Sequence, residues 1–224
     1  PIPVVTPVAN ATFCNGTNTS LIAINGTGTS YAWTNSTTSI GLGASGSGNI
    51  PPFAAANIGS TPVNATIGII PSFTNAGVTC AGLNSNATIT INPTPTVNNV
   101  NSQVICNNTS TAAITYSGTG NSYSWANNTP SIGLANAGTG NIASFVGLNA
   151  SNNAASIATL TVTPQYLNNG VNCSGNTTNF TITVNPTPSA NVPNSQTLCN
   201  GATTAQVNFS GTGTSYNWTN SIAT

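Results

Sequence analysis

Five cysteines, at positions 14, 80, 106, 173 and 199, are the residues of this 224-residue chain best equipped for chemistry. Little stands beside them. Lys, Arg, Asp, Glu and His are all absent. General acid–base catalysis near neutral pH needs one of those groups or a tuned cysteine. Ser and Thr hydroxyls abound, but no side chain can take their proton, so a nucleophile would lack its base. The cysteines show no Cys-x-x-Cys spacing and have no His to join them, which argues against zinc. Calcium sites need carboxylates. The Gly-x-Gly pairs do not continue into a nucleotide-binding fingerprint and read as turns between strands. The sequence thus predicts no enzyme, no catalytic residue, no cofactor and no metal.

What remains is oxidation of thiols to disulfides, and there the spacing is informative. Cys14, Cys106 and Cys199 lie 92 and 93 residues apart, and Cys80 and Cys173 lie 93 apart. The aromatics keep the same step: Tyr31, Tyr123 and Tyr216, and Trp33, Trp125 and Trp218. They sit in one octapeptide written three times, GTGTSYAW, GTGNSYSW and GTGTSYNW. SIGL, GNI and the run ATITINPTP/FTITVNPTP repeat at this interval too. Pro3, Pro95 and Pro188 each precede a cysteine by 11 residues. A period near 93 suits one small domain per repeat. The expected organisation is a linker remnant at 1–3, domains at 4–95 and 96–188, and an incomplete third at 189–224. Within a complete period the two cysteines are 66 or 67 residues apart. The economical pairing is Cys14 with Cys80 and Cys106 with Cys173, leaving Cys199 without a partner. Closing such a loop stabilises by about 4 kcal/mol in the chain-entropy account. Disulfides also imply an oxidising, extracytoplasmic compartment.

The elements that carry these residues read as strands. The chain has 37 Asn and 38 Thr, a third of its length, and its apolar residues lean toward types that suit a pleated surface. Phe180, Ile182 and Val184 alternate with Thr181 and Thr183, the period of a strand with one buried face. In the second period strands are expected at 111–117, 122–126, 142–148, 156–163 and 179–185, separated by Gly, Asn, Ser and Pro clusters. The predicted fold is all-β, with tandem immunoglobulin-like antiparallel β-sandwiches joined by short Pro-rich linkers. Pro93, Pro95, Pro186 and Pro188 make those joints semi-rigid. Each Tyr–Trp pair, two residues apart, projects from one face of a strand. Packing in the sandwich core is the favoured role, and an exposed platform for sugar rings is the alternative.

Charge bounds the partners. Nucleic acid and anionic membranes both require Lys or Arg. No apolar run reaches the roughly 18 residues a spanning helix needs. The opening PIPVV has no basic region, so the expectation is a mature chain, or part of one, from which any signal peptide has gone. Asn-x-Ser/Thr triplets, Asn10, Asn64 and Asn149 among them, arise freely in such a composition and carry little weight.

At the level of GTGTSYAW, SIGL, GNI and TITVNPTP the sequence resembles the PKD-like, immunoglobulin-like tandem repeats of very large Bacteroidota cell-surface proteins, the gliding-motility adhesins among them. The resemblance spans the chain. It implies a secreted β-sandwich array at the cell surface that serves as stalk, filament or adhesin, and it brings no catalytic residue. Sheet edges without Lys gatekeepers favour self-association, including strand donation between subunits. Glycan binding through exposed aromatics, or service as an inert spacer in a larger secreted protein, are the competing functions.

Overall fold

The computed structural model describes residues 2–222. Pro1 of the expected linker remnant, and the last two residues of the segment 189–224, lie outside the described residues. The chain forms two compact units. One is Pro1–Asn99 with Tyr116–Ser124 and Val162–Thr178; the other is Val100–Thr115 with Trp125–Thr161 and Asn179–Thr224.

The first sheet is built from β1 (Ala11–Cys14), β2 (Ser30–Asn35), β3 (Ser45–Ser47), β4 (Val63–Asn75), β5 (Val78–Ala81) and β6 (Ser85–Asn92). Its order is β1-β6-β4-β2-β3, with β5 hairpinned onto the far end of β4. Alternation along β4 and β6 turns Ala65, Ile67, Ile69, Ala87, Ile89 and Ile91 inward. A second layer of extended chain, bridged at Asn18–Ala54 and Ile22–Ile50, closes over them. Ile24, Ile40, Leu42, Ile50 and Ala55 complete the core from that side. Each fully buried isoleucine contributes roughly 1.5–3 kcal/mol by leaving water.

The second sheet repeats this plan with β7 (Gln103–Cys106), β8 (Ser122–Asn127), β9 (Ala137–Thr139), β10 (Ser156–Asn168), β11 (Val171–Ser174) and β12 (Thr178–Asn185). Its order is β7-β12-β10-β8-β9, with β11 on β10. The architecture is all-β and sandwich-like.

Three details depart from the sequence-based expectation. Both first strands pair in parallel with the last strand of their sheet, β1 with β6 and β7 with β12, so the sheets are mixed rather than purely antiparallel. Parallel neighbours need a long crossover, and the chain between β1 and β6 supplies one. Segments 111–117 and 142–148 form no continuous ladder: isolated bridges at Ser110–Val146 and Ile114–Ile142 join them, and between these the Thr111 N–H donates to the Phe145 carbonyl at 2.9 Å while the Phe145 N–H donates to Thr111 Oγ1 at 3.1 Å. There the Gln103 side chain accepts from the Ala112 N–H at 2.9 Å and donates to its carbonyl at 3.1 Å, replacing ladder bonds. Finally, β7, β9 and β11 lie outside the expected strands: each has only three or four residues, too short a run for its alternation to stand out in the sequence.

The octapeptide feeds β2 and β8. Trp33 stands opposite Gly46 of β3 and is 5% exposed. A Cβ on Gly46 would run into the Trp33 indole, and one on Gly138 would run into Trp125 in the same way. The bare glycine face is what seats each ring. Gly46→Ala is therefore expected to cost about 1–3 kcal/mol through overpacking. Urea unfolding followed by Trp fluorescence checks this; an unchanged midpoint would show that the ring has room to move.

Candidate functional site

Cys14 closes β1, opposite Asn92 of β6. Cys173 lies in β11, opposite Tyr166. The two form a disulfide with their Cα atoms 5.5 Å apart, while Cys80, Cys106 and Cys199 are free thiols, all exposed. This corrects the expected pairings Cys14–Cys80 and Cys106–Cys173. The reason is strand length. Cys14 lies at the Val63 end of the sheet, because Val63 pairs with Ile91 beside Asn92. Cys80 lies opposite Phe73. Ten residues of β4 separate those points, roughly 33 Å at 3.3 Å per residue, and a disulfide tolerates about 4.4–6.8 Å between Cα atoms.

Hydrogen bonds from the β10–β11 turn flank the cross-link. Asn168 Nδ2 donates to Asn92 Oδ1 at 2.9 Å, and Asn169 Nδ2 donates to Thr12 Oγ1 at 3.2 Å. Asn169 takes φ 49°, a left-handed turn position that Asn tolerates. Asn92 is fully buried at 0% exposure. On the other side of Cys14, Thr17 Oγ1 donates to its carbonyl at 2.7 Å.

In place of charges, the fold runs on buried carboxamides. Asn57 Nδ2 donates to the carbonyls of Ile91 (2.7 Å) and Thr61 (2.9 Å), and its Oδ1 accepts from the Gly59 N–H at 2.9 Å. Asn15 Oδ1 accepts from the Asn57 N–H at 2.8 Å. The same set recurs in the second sheet. Asn149 Nδ2 donates to Val184 and Ala154, and Asn107 Oδ1 accepts from the Asn149 N–H at 2.8 Å. Asn35 and Asn127 each accept from a backbone N–H two residues on, Thr37 and Thr129, at 3.0 Å, while their Nδ2 groups donate to loop carbonyls. A carboxamide suits this role because it offers two N–H donors and an acceptor oxygen without a charge. Sequence inspection missed these residues among 37 Asn, although the shared spacing of 92 between Asn15 and Asn107, Asn35 and Asn127, and Asn57 and Asn149 marks them.

The remaining residues singled out by sequence fall as follows. Tyr31, Tyr123, Trp125 and Tyr216 are half-buried, and Trp218 is 70% exposed. Tyr216 stacks on Phe209 with ring centroids 6.1 Å apart. Pro93 and Pro95 are buried, whereas Pro186 is half-buried and Pro188 exposed. A Cβ on Gly175 would meet the Pro95 carbonyl, so the proline segment runs hard against the loop that follows β11. Burial pushes the Tyr116 hydroxyl up to about 12 and raises Tyr123 as well. Among the described residues no helix is long and apolar enough to cross a membrane.

No protein-family model matches the chain, and no curated protein matches it. Solved structures do. It is similar to the N-terminal Ig1-2 module of the Drosophila receptor protein tyrosine phosphatase DLAR, at 16% identity and TM-score 0.26 over 81% of this chain and 98% of that one. It is also similar to human mucin-like protocadherin EC1-2, at 11% and 0.36 over 84% and 98%. Mouse cadherin-23 EC22-24 matches at 14% and 0.37 over 82% and 66%.

Proposed function

We propose that the chain is a structural or adhesive segment of an extracellular fibre or adhesin stalk, built from tandem immunoglobulin-like sandwiches of the PKD-like kind and joined by its proline segments. The observation that carries this is the Cys14–Cys173 bond, which braces the first strand of one 93-residue period to the hairpin of the next. Such a bond persists in an oxidising, extracytoplasmic setting. It links residues of successive periods covalently, as an array under tension needs. The uncharged surface removes the repulsion that normally keeps proteins apart, and unprotected sheet edges add a means of contact. Trp33, buried in the core, has no face free for a sugar ring.

Association should ignore salt, since no ion pair or charged patch exists to screen. Negative-stain microscopy and light scattering from about 0.05 to about 1 M NaCl test this, and fibres that fall apart at the upper end would overturn it. Stability should also be flat across about pH 4 to 9, because no carboxylate or imidazole titrates. It should then fall as pH rises from about 10 toward 12. In that window unfolded tyrosines ionise while the folded Tyr116, held near 12, stays neutral. A midpoint measured against pH in urea would reveal an acid-sensitive step if one existed.

A further inference from the structure

The Cys14–Cys173 bond joins two kinds of position, the end of a first strand and the outer strand of a hairpin, and each sheet has both. Cys106 is the second sheet's first-strand cysteine. It faces Asn185 as Cys14 faces Asn92, and Thr109 Oγ1 donates to its carbonyl at 2.7 Å as Thr17 does to Cys14. Cys80 is the first sheet's hairpin cysteine, opposite Phe73 as Cys173 is opposite Tyr166. What differs is cover. Where the bond exists, Cys173 is 3% exposed, β1 is half-buried throughout and Asn92 is buried. Where it does not, all four residues of β5 are exposed, Val78 at 67%, while Val104 is 68% exposed and Cys106 and Asn185 are exposed too.

We infer that Cys80 of one copy forms a disulfide with Cys106 of a second copy, repeating between molecules the contact made by Cys173 and Cys14. This rests on the fibre proposed above and gives that fibre its joint. The neighbouring residues suit the contact. Asn75 and Asn185, both exposed, stand where Asn168 and Asn92 stand in the bonded pair, so the same amide hydrogen bond is available. Ala76 and Val104 take the places of Asn169 and Thr12, exchanging a hydrogen bond for an apolar contact. Ala76 keeps the turn geometry, with φ 48° against 49° at Asn169. The two surfaces differ and each copy carries one of each, so the contact is heterologous and propagates head to tail.

The oxidant is a small disulfide such as oxidised glutathione. The Cys106 thiolate attacks it and releases one glutathione, and the Cys80 thiolate of the second copy then attacks the Cys106 sulfur of the mixed disulfide and releases another. Two protein thiols are oxidised and one glutathione disulfide is reduced to two thiols.

The test uses the full chain carrying Cys199→Ser, incubated with oxidised glutathione and run on a non-reducing gel, with cross-links mapped after chymotrypsin because trypsin has no Lys or Arg to cut. A ladder of dimer, trimer and higher species linked Cys80–Cys106 is expected. Adding Cys80→Ser or Cys106→Ser should leave monomer, whereas an equal mixture of those two variants should give dimer and stop there. Dimer formed as readily by either variant alone would overturn the inference, as would a ladder linked through other residues. Fibres in the microscope without the Cys80–Cys106 link would sink this joint while leaving the fibre standing; a monodisperse monomer under every condition would sink both.

Discussion

Cys14→Ser should lower the stability of the oxidised protein by about 5 kcal/mol, the chain-entropy value for a closed loop of this size. The bond spans a sequence separation of 159, more than twice that of either expected pairing, and because loop-closure entropy grows only logarithmically this adds a little under about 1 kcal/mol to what either of those would give. Cys173→Ser should cost the same, and the double variant no more than either single one, because each removes the same bond. Wild-type protein held in reductant should fall onto the variants' unfolding curve. The two amide hydrogen bonds beside the bond, Asn168 to Asn92 and Asn169 to Thr12, are worth about 1 kcal/mol each and cannot hold the contact at the same strength. Guanidinium unfolding with and without reductant gives the number. A loss under about 1 kcal/mol would mean that the oxidised and reduced unfolded chains are equally free, and the bond would then serve the assembly rather than the fold.

That cross-link also marks how far the sequence reaches. The repeat near 93 identifies Cys14 with Cys106 and Cys80 with Cys173, and it does so without structure. Periodicity tells which residues are equivalent. It is silent on which copy of an equivalent residue meets which, because that depends on how far a hairpin extends past its sheet. β4 runs for 13 residues where β6 runs for 8, and the excess carries β5 and its cysteine to the far end. Strand identity behaved likewise. The alternating β10 and β12 were legible, but β7 was not, since four residues hold too little pattern and its parallel partner lies about 79 residues away in sequence. The buried Asn residues are hidden for another reason. In a chain with no charges Asn covers the surface and ties the core, so composition cannot separate the two uses.

The sharpest test of that second use is a change of one functional group. Asn57→Asp should destabilise the protein by about 3–5 kcal/mol at neutral pH, and Asn149→Asp by a similar amount. One carboxylate oxygen can keep the bond from the Gly59 N–H, but the other would face the carbonyls of Ile91 and Thr61, which the native NH2 group satisfies. Asn57 is buried, so water offers the new charge little relief. A desolvated carboxylate facing carbonyls has its folded-state value raised above the usual 3.9 or so. The sign follows: the variant's stability should be highest below about pH 4 and fall as pH rises, because the unfolded carboxyl ionises first. The wild type should be flat over the same range, having no Asp or Glu side chain. Asn57→Ala separates the contributions. It loses the same hydrogen bonds without adding a charge, so it should cost about 1–3 kcal/mol at every pH. Urea midpoints for the three proteins at about pH 3 and about pH 7 decide the matter. An Asn57→Asp curve parallel to the wild type's across that interval would mean that the carboxylate reaches solvent, and the carboxamide would then be a convenience of composition rather than the group that holds the loop to the last strand.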